Sequence, residues 1–156
     1  MDNFGAKFKT MSYSYSYPRA SVTVDIVIFC KTGSLTKVLL IQRGNEPFRN
    51  LWALPGGFIE MDETLEESAV RELHEETGLQ EVRLHQFKTY GDPGRDPRGR
   101  TVSVVFYGFT DISNSLVAGA DDAKNAGWFA LDEIPELAFD HNLVLEELLD
   151  FLGAKP

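Results

Sequence analysis

Acidic side chains are dense in the segment LPGGFIEMDETLEESAVRELHEETGL, residues 54 to 79. Within it, Glu72 and Glu75 are spaced i,i+3, and Glu72 and Glu76 are spaced i,i+4, so a helix would bring these carboxylates close together. Each pair of like charges costs roughly 0.2–0.5 kcal/mol in an isolated helix. Arg71 can pair with Glu75, but one cation cannot neutralise the whole group. A further source of positive charge is therefore expected.

Bound divalent cations are the chemistry that this pattern predicts. Carboxylate oxygens on a rigid element suit Mg²⁺, with Mn²⁺ as the alternative, and Gly57 could add its carbonyl because no side chain blocks the approach. Solvated surface glutamates are the competing interpretation, and an acidic helix taken alone would favour it.

The acidic segment contains the signals of one helix. Thr64 followed three residues later by Glu67 forms a capping box, and Gly78 suits a left-handed C-terminal cap, so the helix is predicted over Leu65–Thr77.

The helical period predicts which of its side chains are buried. Leu65, Ala69 and Leu73 form one apolar stripe, with Val70 at its edge, and these positions are expected to face the core. Glu76 falls within the stripe, so it is predicted to point inward rather than into solvent.

The spacing of fixed residues around this helix resembles the Nudix box. Gly57 is followed after five residues by Glu63 and after seven more by RELHEETGL, residues 71–79. The similarity extends over about residues 20 to 153 and includes LWALPGGF before the box and WFALDEIP after it. It implies an α/β fold, a Nudix α/β/α sandwich with a mixed β-sheet between helices. We expect an N-terminal arm at 1–19 and the domain at 20–154.

Membership of the Nudix hydrolase family would imply metal-dependent hydrolysis of a nucleoside diphosphate linked to another group. By resemblance, the metal ligands are the Gly57 carbonyl and the carboxylates of Glu72, Glu75 and Glu76, which are also the catalytic carboxylates. Arg71 resembles the residue that orients a glutamate. Glu63 resembles a box glutamate that supports the loop.

The general base stays open at this point. The family implies either a box glutamate or a carboxylate on a later loop, where Asp121 and Asp122 are the candidates. A polar turn before a strand is an equal interpretation of those two residues.

A second motif concerns the substrate. The segment YGDPGRDPRGRTVSV places Arg95, Arg98 and Arg100 within six residues, and the planar guanidinium suits phosphate contacts. With Pro93 fifteen residues beyond Gly78, and with LAFDH at 137–141, the chain resembles the ADP-ribose pyrophosphatase branch. That branch converts ADP-ribose and water to AMP and ribose 5-phosphate. The alternative to phosphate binding is a surface loop whose arginines are solvated.

Other side chains complete the predicted substrate site. Arg43, at a strand end, is expected to join the loop arginines on the diphosphate. Adenine needs an aromatic partner, for which Phe139 is chosen ahead of Tyr90 and Phe48, although each could be packing only. No ligand role is assigned to the tryptophans or histidines, namely Trp52, Trp128, His74, His85 and His141. His74 is expected on the solvated side of its helix, and His141 could cap or start the last helix.

The rest of the chain supplies the scaffold and bounds the partners. Strand patterns are found in SVTVDIVIFC, LTKVLLIQR, EVRLHQFKTYG, RTVSVVFYGF and NAGWFAL, and HNLVLEELLDFLG predicts a closing helix. PGG at 55–57 is expected to lie outside regular structure. The alternating segment SYSYSY predicts either an edge strand or an arm that packs against the domain or a second subunit. The second-subunit interpretation would imply a homodimer. Cys30, the single cysteine, is expected to be a buried strand residue.

Charge and hydropathy exclude several partner classes. The net charge of −9 argues against nucleic-acid binding, and no apolar run is long enough to span a bilayer. A small-molecule nucleotide ligand in the cytoplasm is expected. The alternatives are another nucleotide substrate, a non-catalytic sensor of ADP-ribose-type ligands, and an inactive scaffold. The sensors of this family carry an appended DNA-binding domain, for which we expect no room before Pro156.

Overall fold

A computed structural model describes residues 13–111 and 123–154. These residues form seven strands and two helices. In chain order they are β1 Ser21–Thr32, β2 Leu35–Arg43, β3 Trp52–Ala53, β4 Gly56–Phe58, α1 Leu65–Thr77, β5 Leu84–Tyr90, β6 Thr101–Asp111, β7 Ala123–Ala130 and α2 His141–Leu152.

The strands form one mixed sheet, as predicted. Its order is β3-β2-β1-β6-β5, with β4 paired to β1 and β7 paired to β2. β1 runs parallel to β6 over eleven residue pairs that begin with Ser21 and Thr101, whereas the other pairings are antiparallel. The long parallel pair is central and both of its faces are covered, which explains the nearly continuous apolar run of β1.

Alternate residues of β1 face two separate cores. Val24, Ile26 and Ile28 pack with the apolar side chains of α1, whereas Val27 and Phe29 pack with those of α2. All five are at most 1% exposed. Because the two helices cover opposite faces of one sheet, the molecule has the three layers of the predicted α/β/α sandwich.

The glycine-rich segment differs from its prediction. Residues 55–57 were expected to lie outside regular structure, but Gly56 and Gly57 begin β4, which pairs with Thr23–Asp25 of β1. A Cβ atom on Gly56 would collide with the Val24 carbonyl and lie 2.8 Å from Oδ1 of Asp25. The glycine therefore permits close strand contact here rather than preventing regular structure.

Helix α1 has the predicted bounds and caps. The Thr64 side chain accepts from the Glu67 N–H at 3.2 Å, the Glu67 carboxylate accepts from the Thr64 N–H at 2.8 Å, and Gly78 is left-handed. The prediction for Val70 is wrong, since the residue is 52% exposed. The core beneath α1 contains Ala69 and Leu73, with Leu65 partly buried against it, and does not include Val70.

Residues 13–20 and helix α2 form the two ends of the described chain. Residues 13–20 form no strand, so the edge-strand interpretation of the tyrosines in that range is wrong, and Tyr13 and Tyr15 stack with ring centroids 6.2 Å apart. α2 begins at His141, as foreseen, and Gly153 caps it in a left-handed conformation. In the part of the chain that the structure describes, neither helix is long and apolar enough to cross a membrane.

Candidate functional site

One cavity of about 510 Å³ collects most of the residues chosen from the sequence. α1 and β4 supply its acidic side, and the loops that follow β2 and β5, together with the start of α2, supply the other side. The predicted residues that line it are Arg43, Gly57, Arg71, Glu72, Glu75, Glu76, Arg95, Arg98 and Phe139.

Arg71 donates hydrogen bonds to several groups on the acidic side of the cavity. Its Nε and Nη2 donate to the two carboxylate oxygens of Glu63 at 2.7 and 3.0 Å, and Nη2 also donates to the Phe58 carbonyl at 3.1 Å. Its Nη1 donates to Glu72 at 2.8 Å and to Glu75 at 3.1 Å. The hydrogen bonds from Arg71 lower the pKa of Glu63 to about 2. One arginine thus contacts three of the crowded carboxylates.

Glu72 fills the space that the missing side chain of Gly57 leaves. A Cβ atom on Gly57 would lie 2.5 Å from Cδ and 2.7 Å from Oε2 of Glu72. Burial raises the pKa of Glu72, although the contact with Arg71 opposes this effect. The glycine is therefore required for the helix carboxylate to lie against β4.

Glu76 points inward, as the helical period predicts. The residue is 7% exposed, and its Oε2 accepts a hydrogen bond from the Gly56 N–H at 2.9 Å. Burial raises the pKa of Glu76 to about 8, with further increases from the negative charges of Glu72 and Asp25. A carboxylate held in this way gains from a nearby cation, because the cation offsets the cost of burying its charge.

The glutamates offer the donor types for a hard cation without forming a finished site. Across residues 13–111 and 123–154, no three Asp, Glu, His or Cys side chains are gathered in a metal-binding group. Arg71 occupies the position between Glu72 and Glu75. The donor chemistry fits Mg²⁺ or Mn²⁺, because carboxylate oxygens from α1 line one cavity and Glu76 is buried there.

The opposite side of the cavity is built around Phe139. The guanidinium carbons of Arg43 and Arg98 lie 4.8 and 5.3 Å from the centre of its ring, and Phe48 meets it edge to face at 4.8 Å. Phe139 and Phe48 both have positive φ, 55° and 63°, which is unfavourable for aromatic residues. Arg98 also lies 5.0 Å from the ring centre of Phe58. Strained backbone of this kind clusters at functional sites.

The three loop arginines have different environments. Arg98 binds Asp96 through Nε and Nη2 and keeps 39% of its side chain exposed. Arg95 is 5% exposed and makes a two-point pair with Asp140, at 2.8 and 2.6 Å. Arg100 is not among the residues that line the cavity, and its guanidinium donates to the Gly91 carbonyl. Sequence spacing alone could not separate them.

Asp25 and His141 line the cavity and were missed as site residues. Asp25 is 7% exposed, its Oδ2 accepts from the Ser103 hydroxyl, and its Oδ1 lies 3.5 Å from Nε2 of His141. Burial alone would raise the pKa of Asp25, but His141, Ser103 and Arg95 together hold it below its usual value. The available signal was a single carboxylate inside the apolar run SVTVDIVIFC.

The remaining candidates lie elsewhere. Tyr90 is a core residue whose hydroxyl donates to Glu147 at 2.6 Å, and Cys30 is buried as predicted. Trp52 and Trp128 pack against the two cores. His74 is exposed on the predicted side of α1 and contacts Gln80, and His85 packs against Tyr107. Asp121 and Asp122 lie outside the described residues.

Fold and site together define the class of protein. It is an α/β/α sandwich in which a glutamate-rich helix and a glycine-rich strand border one side of a cavity that has arginines on its other side. The NUDIX domain matches residues 20–150. The chain therefore belongs to the Nudix family, as the spacing of Gly57, Glu63 and residues 71–79 indicated.

Two curated relatives narrow the comparison. An ADP-ribose pyrophosphatase of Methanocaldococcus jannaschii is 45% identical over 133 residues, which cover 85% of this chain and 75% of that protein. The ADPR responsive transcriptional repressor NtrR of Acinetobacter baylyi is 35% identical over 143 residues, which cover 89% of this chain but 57% of the repressor. The predicted resemblance to the ADP-ribose pyrophosphatase branch is thereby confirmed.

Solved structures agree with the fold. The NUDIX domain of Shewanella oneidensis NrtR complexed with ADP ribose has a TM-score of 0.79 and 34% identity, over 87% of this chain and 90% of that one. A bifunctional NMN adenylyltransferase/ADP ribose pyrophosphatase from Francisella tularensis, complexed with AMP and a Mn ion, has a TM-score of 0.76 and 32% identity. That match covers 88% of this chain and 43% of the Francisella chain.

Proposed function

We propose that this protein is a divalent-metal-dependent Nudix pyrophosphohydrolase that converts ADP-ribose and water to AMP and ribose 5-phosphate. The observation that carries the proposal is that one cavity has Glu72, Glu75 and Glu76 on one side and Arg43 and Arg98 on the other. Carboxylates that hold metal and guanidinium groups that hold phosphate oxygens are the two requirements for cleaving a diphosphate. The similarity to an ADP-ribose pyrophosphatase supports the choice of substrate.

The acidic side would perform the metal-assisted part of the chemistry. Glu72, Glu75 and Glu76, with the Gly57 carbonyl, would hold Mg²⁺ or Mn²⁺, which supplies charge neutralisation at phosphorus and acidifies a bound water. Arg71 orients Glu72 and Glu75 through Nη1. Cation binding between these two carboxylates would require Nη1 to release at least one of them. Proton removal from water falls to a box glutamate or to Asp121 or Asp122.

The arginine side would hold the substrate. Arg98 is fixed by Asp96 on one edge of its guanidinium, and its guanidinium carbon lies 5.0 and 5.3 Å from the ring centres of Phe58 and Phe139. Such an arginine is pre-oriented, so little side-chain entropy is lost when it binds phosphate. Arg43 approaches Phe139 from the strand end and can add a second phosphate contact. Phe139 then either stacks on adenine or serves to hold the two arginines.

Two alternatives follow from the same cavity. The enzyme could act on a nucleoside triphosphate, a dinucleoside polyphosphate or another nucleotide sugar with the same chemistry. The similarity to the repressor NtrR favours a second candidate, in which the chain binds an ADP-ribose-type ligand without turning it over. Hydrolysis of bound ADP-ribose separates the enzyme from the sensor.

A phosphatase-coupled assay tests the proposal. ADP-ribose, nucleoside triphosphates, dinucleoside polyphosphates and nucleotide sugars would be compared with Mg²⁺, with Mn²⁺ and with chelator. We expect ADP-ribose to give the highest kcat/KM and the chelator to abolish turnover. Binding of ADP-ribose in calorimetry without turnover under any of these metals would instead establish the sensor.

One matched pair of variants ties turnover to the site. Glu76→Gln should lower kcat by at least roughly 10²-fold, since it removes an inward-facing carboxylate from the cavity. Glu66→Gln changes an exposed glutamate in the first turn of the same helix and should leave kcat near that of the wild type. Equal activity of the two variants would contradict the assigned role of Glu76.

Assembly and location are further parts of the proposal. We expect a cytoplasmic protein that binds no nucleic acid and forms a homodimer through the exposed tyrosines of the N-terminal arm. Tyr13, Tyr15 and Tyr17 are 58%, 49% and 82% exposed. Sedimentation of the full chain and of a variant with all three tyrosines replaced by serine would test the dimer. A monomeric wild type would exclude it.

A further inference from the structure

A buried set of polar contacts connects His141, at the start of α2, to Leu54 and to Asp25 of β1. His141, the first residue of α2, is 4% exposed, and its Nδ1 accepts a hydrogen bond from the Leu54 N–H at 3.0 Å. In the neutral ring the proton is therefore on Nε2, which faces Oδ1 of Asp25 at 3.5 Å. The ring has one defined orientation because each of its nitrogens has a different partner.

Asp25 is itself held from two further directions. The Ser103 hydroxyl donates to Oδ2, and Nη2 of Arg95 lies 3.8 Å from the same oxygen. Arg95 in turn binds Asp140, the residue that precedes α2. The histidine is thus oriented by β1, by β6 and by the loop after β5, none of which belongs to α1.

The segment that His141 holds leads directly to Glu76. Two residues after Leu54, the Gly56 N–H donates to Oε2 of Glu76 at 2.9 Å. Between them, the Pro55 carbonyl accepts from the Ile26 N–H at 2.8 Å. Gly56 lies so close to β1 that even a Cβ atom would collide with the Val24 carbonyl. Each of residues 54–56 thus has a hydrogen-bonded partner outside the segment, and a displacement at Leu54 is expected to shift Gly56.

We propose that His141 is a positioning residue for Glu76 and acts through the backbone of residues 54–56, with Asp25 and Arg95 setting its orientation. The inference rests on the proposed function, because it assigns to Glu76 a part in catalysis. The partners of an active-site ligand are known to affect turnover or metal affinity by about 10–100-fold when they are lost. His141 is the first residue of α2, whereas Glu76 belongs to α1 on the other face of the sheet, and both residues line the same cavity.

The competing explanation is that His141 only satisfies the buried Leu54 N–H and stabilises the fold. Two amide substitutions separate the two explanations. The oxygen of asparagine can take the place of Nδ1, whereas the longer glutamine side chain places its polar group near Nε2. His141→Asn should keep the Leu54 contact, and His141→Gln should lose it while both variants remain polar at that position.

The expected results differ in kinetics and in a direct structural signal. His141→Gln should lower kcat by about 10–100-fold with little change in KM, and His141→Asn should recover most of the loss. The Gly56 amide proton, observed by NMR at constant pH without metal, should move in the glutamine variant and stay near its wild-type shift in the asparagine variant. The affinity for Mn²⁺ should follow the same order.

Melting temperatures and a remote control exclude a general effect. Glu147→Gln changes the same helix where it contacts Lys88 and Tyr90, and it should leave kcat and the Gly56 signal unchanged. An unchanged Gly56 signal or an unchanged kcat in folded His141→Gln would overturn the inference. If the wild type hydrolyses no nucleotide, the proposed function fails, and the Gly56 signal and Mn²⁺ affinity still decide the role of His141.

Discussion

Gly57 and Glu72 lie so close together that a Cβ atom on Gly57 would be 2.5 Å from the carboxylate carbon of Glu72. The contact joins β4 to α1, and it brings a helix carboxylate onto the strand that borders the cavity. A methyl group at position 57 and the observed position of Glu72 exclude each other.

Gly57→Ala is therefore expected to displace the Glu72 carboxylate and to reduce kcat/KM by about 10²-fold, the effect of a displacement of about 1 Å in an active site. Steady-state kinetics would measure the loss, and thermal melting would show whether the fold is kept. Gly91→Ala is the control, because its Cβ would come no closer than 3.5 Å to Val102. Full activity in Gly57→Ala would show that Glu72 is free to move.

Arg98 and Arg100 lie two residues apart in the same loop, and substitutions at the two positions test the proposed arginine contacts with substrate. Arg98→Lys keeps the charge beside Asp96 but loses the planar fork, so KM for ADP-ribose should rise by about 10-fold or more. Arg100→Lys should leave KM nearly unchanged, since Arg100 does not line the cavity. The kinetic constants of the two variants, measured side by side, decide the matter. An equal increase in both would mean that the loop closes differently on substrate.

Arg95 is expected to contribute to stability more than to substrate binding. Its side chain is 5% exposed and paired with Asp140. Arg95→Met would leave the buried Asp25 and the partly buried Asp140 without this cation, and loss of one partner of a buried ion pair typically costs roughly 3–5 kcal/mol in the free energy of unfolding. Lys88→Met breaks the exposed pair with Glu147 and should cost less than about 1 kcal/mol. Denaturant unfolding would compare the two, and equal losses would refute the structural role of Arg95.

The buried Glu76 predicts a specific pH dependence of the metal-free protein. Its pKa is about 8 in the fold against a usual 4.5, so the folded state retains a proton that the unfolded chain has lost. This contribution to stability is complete below pH 4.5 and is lost as the pH rises to about 8. Denaturant unfolding in chelator at about pH 6 and about pH 8 should show a decrease in the free energy of unfolding.

The Glu76→Gln variant has no carboxyl proton to lose at position 76. Its free energy of unfolding should therefore lack the part of the decrease with pH that Glu76 causes. Addition of Mn²⁺ should counteract it in the wild type, because cation binding favours the ionised carboxylate. A wild type and a Glu76→Gln variant with the same dependence on pH would contradict the burial argument.

Much of the fold could be predicted because its signals are local. The capping box at Thr64 and Glu67 and the left-handed Gly78 bound α1 at the predicted residues, since caps depend on neighbours only a few positions away. The helical period also placed Glu76 correctly on the inner face. It failed for Val70, which is 52% exposed, because the period gives the direction of a side chain but not whether a distant element covers it.

Strand pairing at the glycines could not be read from the chain. Gly56 and Gly57 look like loop residues by composition, yet β4 forms because β1 presents hydrogen-bonding partners to it. Which residues approach so closely is decided by elements that are more than thirty positions apart in sequence.

The residue types and spacing of residues 54–79 were sufficient by themselves to determine the family and the location of the acidic carboxylates. Only the tertiary structure decided that Arg98 and not Arg100 borders the cavity, that Arg95 pairs with Asp140, and that Arg71 binds Glu63 in addition to the predicted Glu75. It also brought Asp25 together with His141, across 116 positions of sequence. The physical reason is that helix signals act over a few residues, whereas the partner of a buried charge is set by which distant segments the folded core brings together.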